Sequence, residues 1–108
     1  MDLGEEKSLT GVMTQGRQDE SQWVTQYKLL VSVDGIHFFW ITNLGFSTER
    51  HDAQVFAGNF DRNTIVENTL QQPVVVRFVR LNPVEFNNRI SVRWELLTCD
   101  VGKSVCKF

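Results

Sequence analysis

An all-β domain, an antiparallel sandwich or distorted barrel, is the fold this sequence predicts, and three observations carry that prediction. Apolar residues alternate at period two in several runs, Gly, Asn and Asp cluster between the runs, and no stretch has the three-and-four apolar spacing of a helix. At 108 residues, 42% apolar and 22% charged, there is chain for one domain and one core, and too much apolar surface for disorder.

The first strand is expected over Lys7 to Gln15 (KSLTGVMTQ), with Leu9 and Met13 on one face, Val12 on the other, and Gly11 where a neighbour approaches closely. Gly16 then opens RQDESQ, six polar or charged residues without periodicity, which read as a solvated loop. From Trp23 the alternation is clearest. Trp23, Thr25, Tyr27, Leu29, Val31 and Val33 share one face against Val24, Gln26, Lys28, Leu30 and Ser32. Asp34-Gly35 signals a hairpin, because Gly tolerates positive φ, and IHFFWI reads as the returning strand. Asn43 to Gln54 is polar and reads as an irregular excursion. Gly58, Asn59 and Asp61 make a turn, after which Thr64 to Leu70 is extended again.

The stretch from Pro73 to Cys99 holds the expected centre of the sheet. Val74, Val76 and Phe78 on one face and Val75, Val79 and Leu81 on the other describe a strand covered on both sides. Asn82-Pro83 is then a break, and Ile90, Val92, Trp94 and Leu96 alternate with Ser91, Arg93 and Glu95 as a half-buried strand. Asp100 to Phe108 reads as a tail. Trp23, Trp40 and Trp94, at strand period, are expected in the core.

Several function classes drop out on chemistry. A formal charge of −2 speaks against general nucleic-acid binding, which needs a basic surface. No run approaches the roughly 20 apolar residues of a transmembrane helix, and MDLGEEKSL has no apolar segment to serve as a signal peptide. Cys99 and Cys106 lack CxxC spacing and a neighbouring His, so zinc is not expected; a short disulfide between them and two reduced thiols are both open. His37 and His51 have no nucleophile or carboxylate pair in a motif beside them, so no enzyme, and no cofactor, is expected.

Four stretches together resemble the discoidin domain, also called the coagulation factor V/VIII type C domain: Asp2 to Arg17, Trp23 to Gly35, Val55 to Thr64 and Pro73 to Cys99. The resemblance implies a distorted jelly-roll of the galactose-binding-like kind, with residues 1–99 forming the C-terminal three-quarters of a domain and 100–108 a tail. In that family a first strand, a cysteine and two protruding loops come before the DLG motif. Cys99 stands where the family's closing cysteine stands, its family partner being absent here, and Cys106 lies outside the pattern.

By the same resemblance, the loop of Arg17, Gln18, Asp19, Glu20, Ser21 and Gln22 corresponds to one of the family's ligand-lining loops. Arg17 could clamp an acidic group and Asp19 or Glu20 a basic one, although a merely solvated loop is the plainer physical reading. Phe86, Asn87, Asn88 and Arg89 link the last two large strands, and the family places an aromatic residue at Phe86. Arg93 matches an arginine at the base of the ligand loops; the residues alone favour an ion pair with Glu95, Asp19 or Glu20. The implied function is a non-catalytic extracellular recognition module for cell or matrix adhesion, binding a glycan, an anionic phospholipid or a protein at one end of the barrel. Peripheral membrane contact falls within that range. The alternative is a truncated structural or vestigial domain that binds nothing.

Overall fold

Alternating residues form strands that all join one curled antiparallel sheet. The computed structural model describes residues 1–101 and the backbone of 106 and 107. In chain order the strands are β1 (Asp2–Gln15), β2 (Trp23–Ser32), β3 (Phe39–Thr42), β4 (Gly45–Ser47), β5 (Phe56–Ala57), β6 (Val66–Asn87), β7 (Arg93–Asp100) and β8 (Cys106–Lys107). Their order across the sheet is β4-β3-β2-β6-β1-β7-β8, with β5 paired separately to β2. The stretch Asn43 to Gln54 is thus not wholly irregular: it contains β4 and a 3-10 turn over Arg50–Asp52.

The central strand is central, but the prolines do not divide it. β6 runs for 22 residues, pairing first with β1 (Val66 opposite Thr14, Val76 opposite Lys7) and then with β2 (Phe78 opposite Ser32, Asn87 opposite Trp23). Pro73 falls where the β1 ladder skips, between the pairs of Thr69 and Val74. Pro83 falls at a register shift against β2, beyond the reach of the β1 ladder. A missing N–H breaks a strand only where a ladder bond needs it, so β6 continues through both. One strand serving two neighbours in succession curls the sheet around its core.

Two bulges correct the expected faces. In β1 the register shifts between Leu9 and Gly11, so Leu9 and Val12 both turn inward and are fully buried. In β2 it shifts between Val24 and Gln26, which brings Val24 to the side of Tyr27, Leu29 and Val31 and leaves Trp23 and Thr25 half-buried. A bulge adds one residue to one strand, and each added residue reverses the alternation beyond it. Val75 is 46% exposed, so β6 is not covered on its second face there. Ile90 lies before β7 and is exposed, while Trp94 packs against the core as expected.

The expected hairpin joins β2 to β3, with Gly35 at φ +77 and Leu30 opposite Trp40. His37 lies in this exposed turn, not in a strand. The Asp34 carboxylate accepts the N–H groups of Ile36 and His37 and lies 2.7 Å from His37 Nδ1, and this loading, led by the His37 side chain, holds it far below the usual carboxylate range. Part of the expected tail is strand: β8 sets Cys106 opposite Cys99. Cys99 is buried, and no free cysteine occurs among the described residues. The question of the Cys106 side chain lies outside those residues. Among them, too, no helix is long and apolar enough to cross a membrane, and no three His, Cys, Asp or Glu side chains group to hold a metal.

Candidate binding rim at one end of the barrel

The expected site residues meet at a single end. β1 leaves the barrel there and β2 re-enters, so residues 16–22 form the connecting loop, and β6 ends beside them because Trp23 pairs with Asn87 and Val24 with Phe86. The loop is internally tied. Arg17 N–H donates to the Gln22 carbonyl at 2.9 Å, its Nε to Asp19 Oδ1 at 2.8 Å and its Nη1 to Gln22 Oε1 at 3.3 Å. The bond from Arg17, above all, lowers the Asp19 carboxyl below its ordinary value. Asn87 Nδ2 donates to the Ser21 carbonyl at 2.8 Å, joining the end of β6 to the loop. Gln18, Asp19, Glu20 and Ser21 are exposed, but Gln22 is buried and serves as the loop's base.

Arg93 holds the loops together by a route different from the expected ion pair. Its Nε donates to the Gly16 carbonyl at 2.7 Å and its Nη2 to the Arg62 carbonyl at 3.1 Å, and no carboxylate pairs with it among the described residues. A planar fork suits two carbonyls presented side by side. Gly16 permits this closeness, since a Cβ there would meet the Asp61 carbonyl oxygen at 2.6 Å. Arg93→Ala is expected to cost about 1 kcal/mol, because the bonds are charge-assisted but partly exposed. It should raise amide exchange in 16–22 and 61–64, and Arg93→Lys should restore little of that protection, since one ammonium cannot span both carbonyls. Unchanged exchange in Arg93→Ala would refute the strut.

The Arg62 contact brings in a third loop, 58–65, which sequence reasoning read only as a turn. Asn59 is buried and its Nδ2 donates to the carbonyls of Thr14 at 2.9 Å and Thr64 at 3.0 Å, fastening that loop to the end of β1. The Asp61 carboxylate accepts from the Thr64 hydroxyl and from the Thr64 and Asn63 N–H groups, and these bonds, led by the hydroxyl, lower its pKa. Phe60 is 67% exposed, joining Phe86 at 48% and Ile90 at 57% as apolar tips on the rim. Phe60, flanked by Asn59 and Asp61 and outside any alternation, was the available signal. Beside Arg93, a cleft of about 450 Å³ opens between Gln15, Ile65, Trp94 and Glu95.

Comparison with known proteins finds relatives over most of the chain. The F5/8 type C domain model matches residues 1–96. Retinoschisin from Mus musculus is 39% identical over 99 residues, covering 92% of this chain and 42% of retinoschisin. Lactadherin from Mus musculus is 39% identical over 101 residues, 92% of this chain and 20% of lactadherin. Discoidin-2 from Dictyostelium discoideum is 36% identical over 95 residues, 88% of this chain and 34% of that protein. The chain therefore spans less than half the length of these relatives. The native structure of recombinant discoidin II from Dictyostelium discoideum superposes with a TM-score of 0.76 at 32% identity, over 91% of this chain and 35% of that one.

Proposed function

Because this chain belongs to the F5/8 type C (discoidin) domain family, we propose that it is an extracellular recognition module supporting adhesion, and that its rim grips a neutral glycan. The family comprises binding domains and not enzymes. The observation that carries the ligand class is how the rim uses its charges. Arg17 is taken up by Asp19 and Gln22, and Arg93 by two carbonyls, so the two guanidiniums at the base of the loops are not left to clamp an anion; Arg62 and Arg89, on the flanking loops, make no side-chain hydrogen bond or ion pair with a described residue. What the rim offers instead is the exposed rings of Phe60 and Phe86 beside Gln18, Glu20, Ser21 and Asn87. A sugar ring has an apolar face for an aromatic ring and hydroxyls for such neighbours.

A second reading, an anionic phospholipid surface, is favoured by one observation: Phe60, Phe86 and Ile90 put apolar tips on two of the rim's loops and on the end of β6 between them. An array of neutral saccharides and sedimentation with phosphatidylserine-containing vesicles separate the two. The glycan reading expects saccharide binding that is indifferent to salt and falls about tenfold or more in Phe86→Ala, equivalent to about 1.4 kcal/mol. Vesicle binding lost in the same variant would transfer the proposal to lipid. Silence in both would overturn the rim as a ligand site.

A further inference from the structure

We propose a second binding surface, independent of the rim: the outer face of β3, β2 and β6 takes a sulfated polysaccharide, held by Arg50 and Arg80. Directly opposed residues in an antiparallel ladder share a face. Leu30 lies opposite both Trp40 and Arg80, and Lys28 opposite Asn82, so these five share the face turned away from buried Leu29 and Val31. Trp40, expected in the core, is therefore on the outside.

On this face two guanidiniums lie over aromatic rings. Arg80 Cζ stands 3.9 Å from the Phe38 ring centroid, and the Arg80 side chain makes no hydrogen bond or ion pair with any described residue. Arg50 Cζ stands 5.6 Å from the Trp40 centroid, and its Nη2 donates to Asn82 Oδ1 at 3.3 Å. Asn82 is two residues along β6 from Arg80, about 7 Å along the backbone, so the two arginines attach to successive positions of one face. Beneath them Lys28, itself buried, donates Nζ to the Arg50 carbonyl at 3.2 Å and fixes that segment on the sheet. Of the nearby carboxylates, Asp52 is engaged with the Ser47 hydroxyl and His51 and Asp34 with its own turn, while Glu49, exposed beside Arg50, makes no ion pair with either arginine among the described residues. The face thus has cations in place, and no carboxylate among the described residues pairs with them.

A guanidinium laid flat on a ring is held in place while its N–H edge stays open, and that edge matches sulfate oxygens two at a time. The features that select this occupant are equally local. Phe38, Trp40 and Leu30 are half-buried, so the apolar side chains around the two arginines do not stand free to enter a bilayer. Arginines already cover two of its rings, so unpaired bases have poor access for stacking. A flexible chain carrying regularly spaced sulfates satisfies both cations without either requirement.

Heparin, hyaluronan and phosphatidylserine vesicles are the probes, applied to the whole chain. Heparin is expected to bind with an affinity that falls about tenfold or more between roughly 50 and 500 mM NaCl. Arg50→Gln and Arg80→Gln, which keep an aliphatic stem over the ring, should each weaken it about fivefold or more, and the double variant should lose it, with unchanged melting temperature. Hyaluronan, with carboxylates and no sulfate, should bind at least about tenfold more weakly. Heparin affinity unchanged in the double variant, equal affinity for hyaluronan, or vesicle binding that depends on Arg50 and Arg80 would each overturn the proposal.

Discussion

Tyr27→Ala is expected to be among the most damaging single substitutions in this chain, costing about 3–5 kcal/mol, the range for removing a large buried aromatic ring. Tyr27 has no exposed surface, and its ring stacks on Phe56 at 5.3 Å with 14° between the planes. Its hydroxyl accepts from Asn68 Nδ2 at 3.1 Å, and the same amide donates to the Ala57 carbonyl at 2.8 Å. One side chain therefore ties β2 to β5 and to β6. Burial pushes its phenol up to about 12, so the hydroxyl stays neutral at any ordinary pH. Tyr27→Phe separates the two contributions: it keeps the ring and should cost only about 0.5–1.5 kcal/mol. For a domain of this size the alanine variant should melt at least about 12 °C lower. A shift under about 4 °C would mean that the ring is not the keystone described.

What the sequence made legible was whatever each segment specifies for itself. The β2–β3 hairpin follows from Asp34-Gly35, and the central place of β6 from its valines. The gathering of Arg17 to Gln22 with Phe86, Asn87 and Arg93 came through family resemblance. What stayed hidden was relational. A bulge at Leu9/Gly11 depends on the strands it faces, so Val12 could not be assigned a side from β1 alone. Pro83 looked like a break because a proline's cost depends on whether its neighbour wanted an N–H. Arg93 looked like half of an ion pair because backbone carbonyls, its actual partners, leave no mark in a sequence. The Arg80 face was invisible for the same reason: whether a guanidinium finds a carboxylate or a ring is decided by register.

Gly58 shows how a residue read correctly as special can be special for another reason, and its substitution is the second large expected effect. The sequence marks it only as part of a turn with Asn59 and Asp61; a Cβ there would sit 2.3 Å from the Val24 carbonyl oxygen, so space is what it supplies. That approach lets Gly58 N–H reach the Thr25 carbonyl at 2.8 Å and Asn59 N–H reach Val24 at 2.7 Å. Gly58→Ala must therefore push the 58–65 loop off β2, at a cost of about 1–3 kcal/mol, with both amides losing exchange protection. Because Phe60 rides on that loop, rim binding should weaken in the same variant. Gly4 is the control for the other cause: at φ +82 with nothing within 4 Å of its Cβ, Gly4→Ala should show only a strain cost of about 1 kcal/mol and leave the rim intact. Equal effects from the two alanines, or protection retained at Asn59 in Gly58→Ala, would show that contact between the loop and β2 does not set the rim's shape.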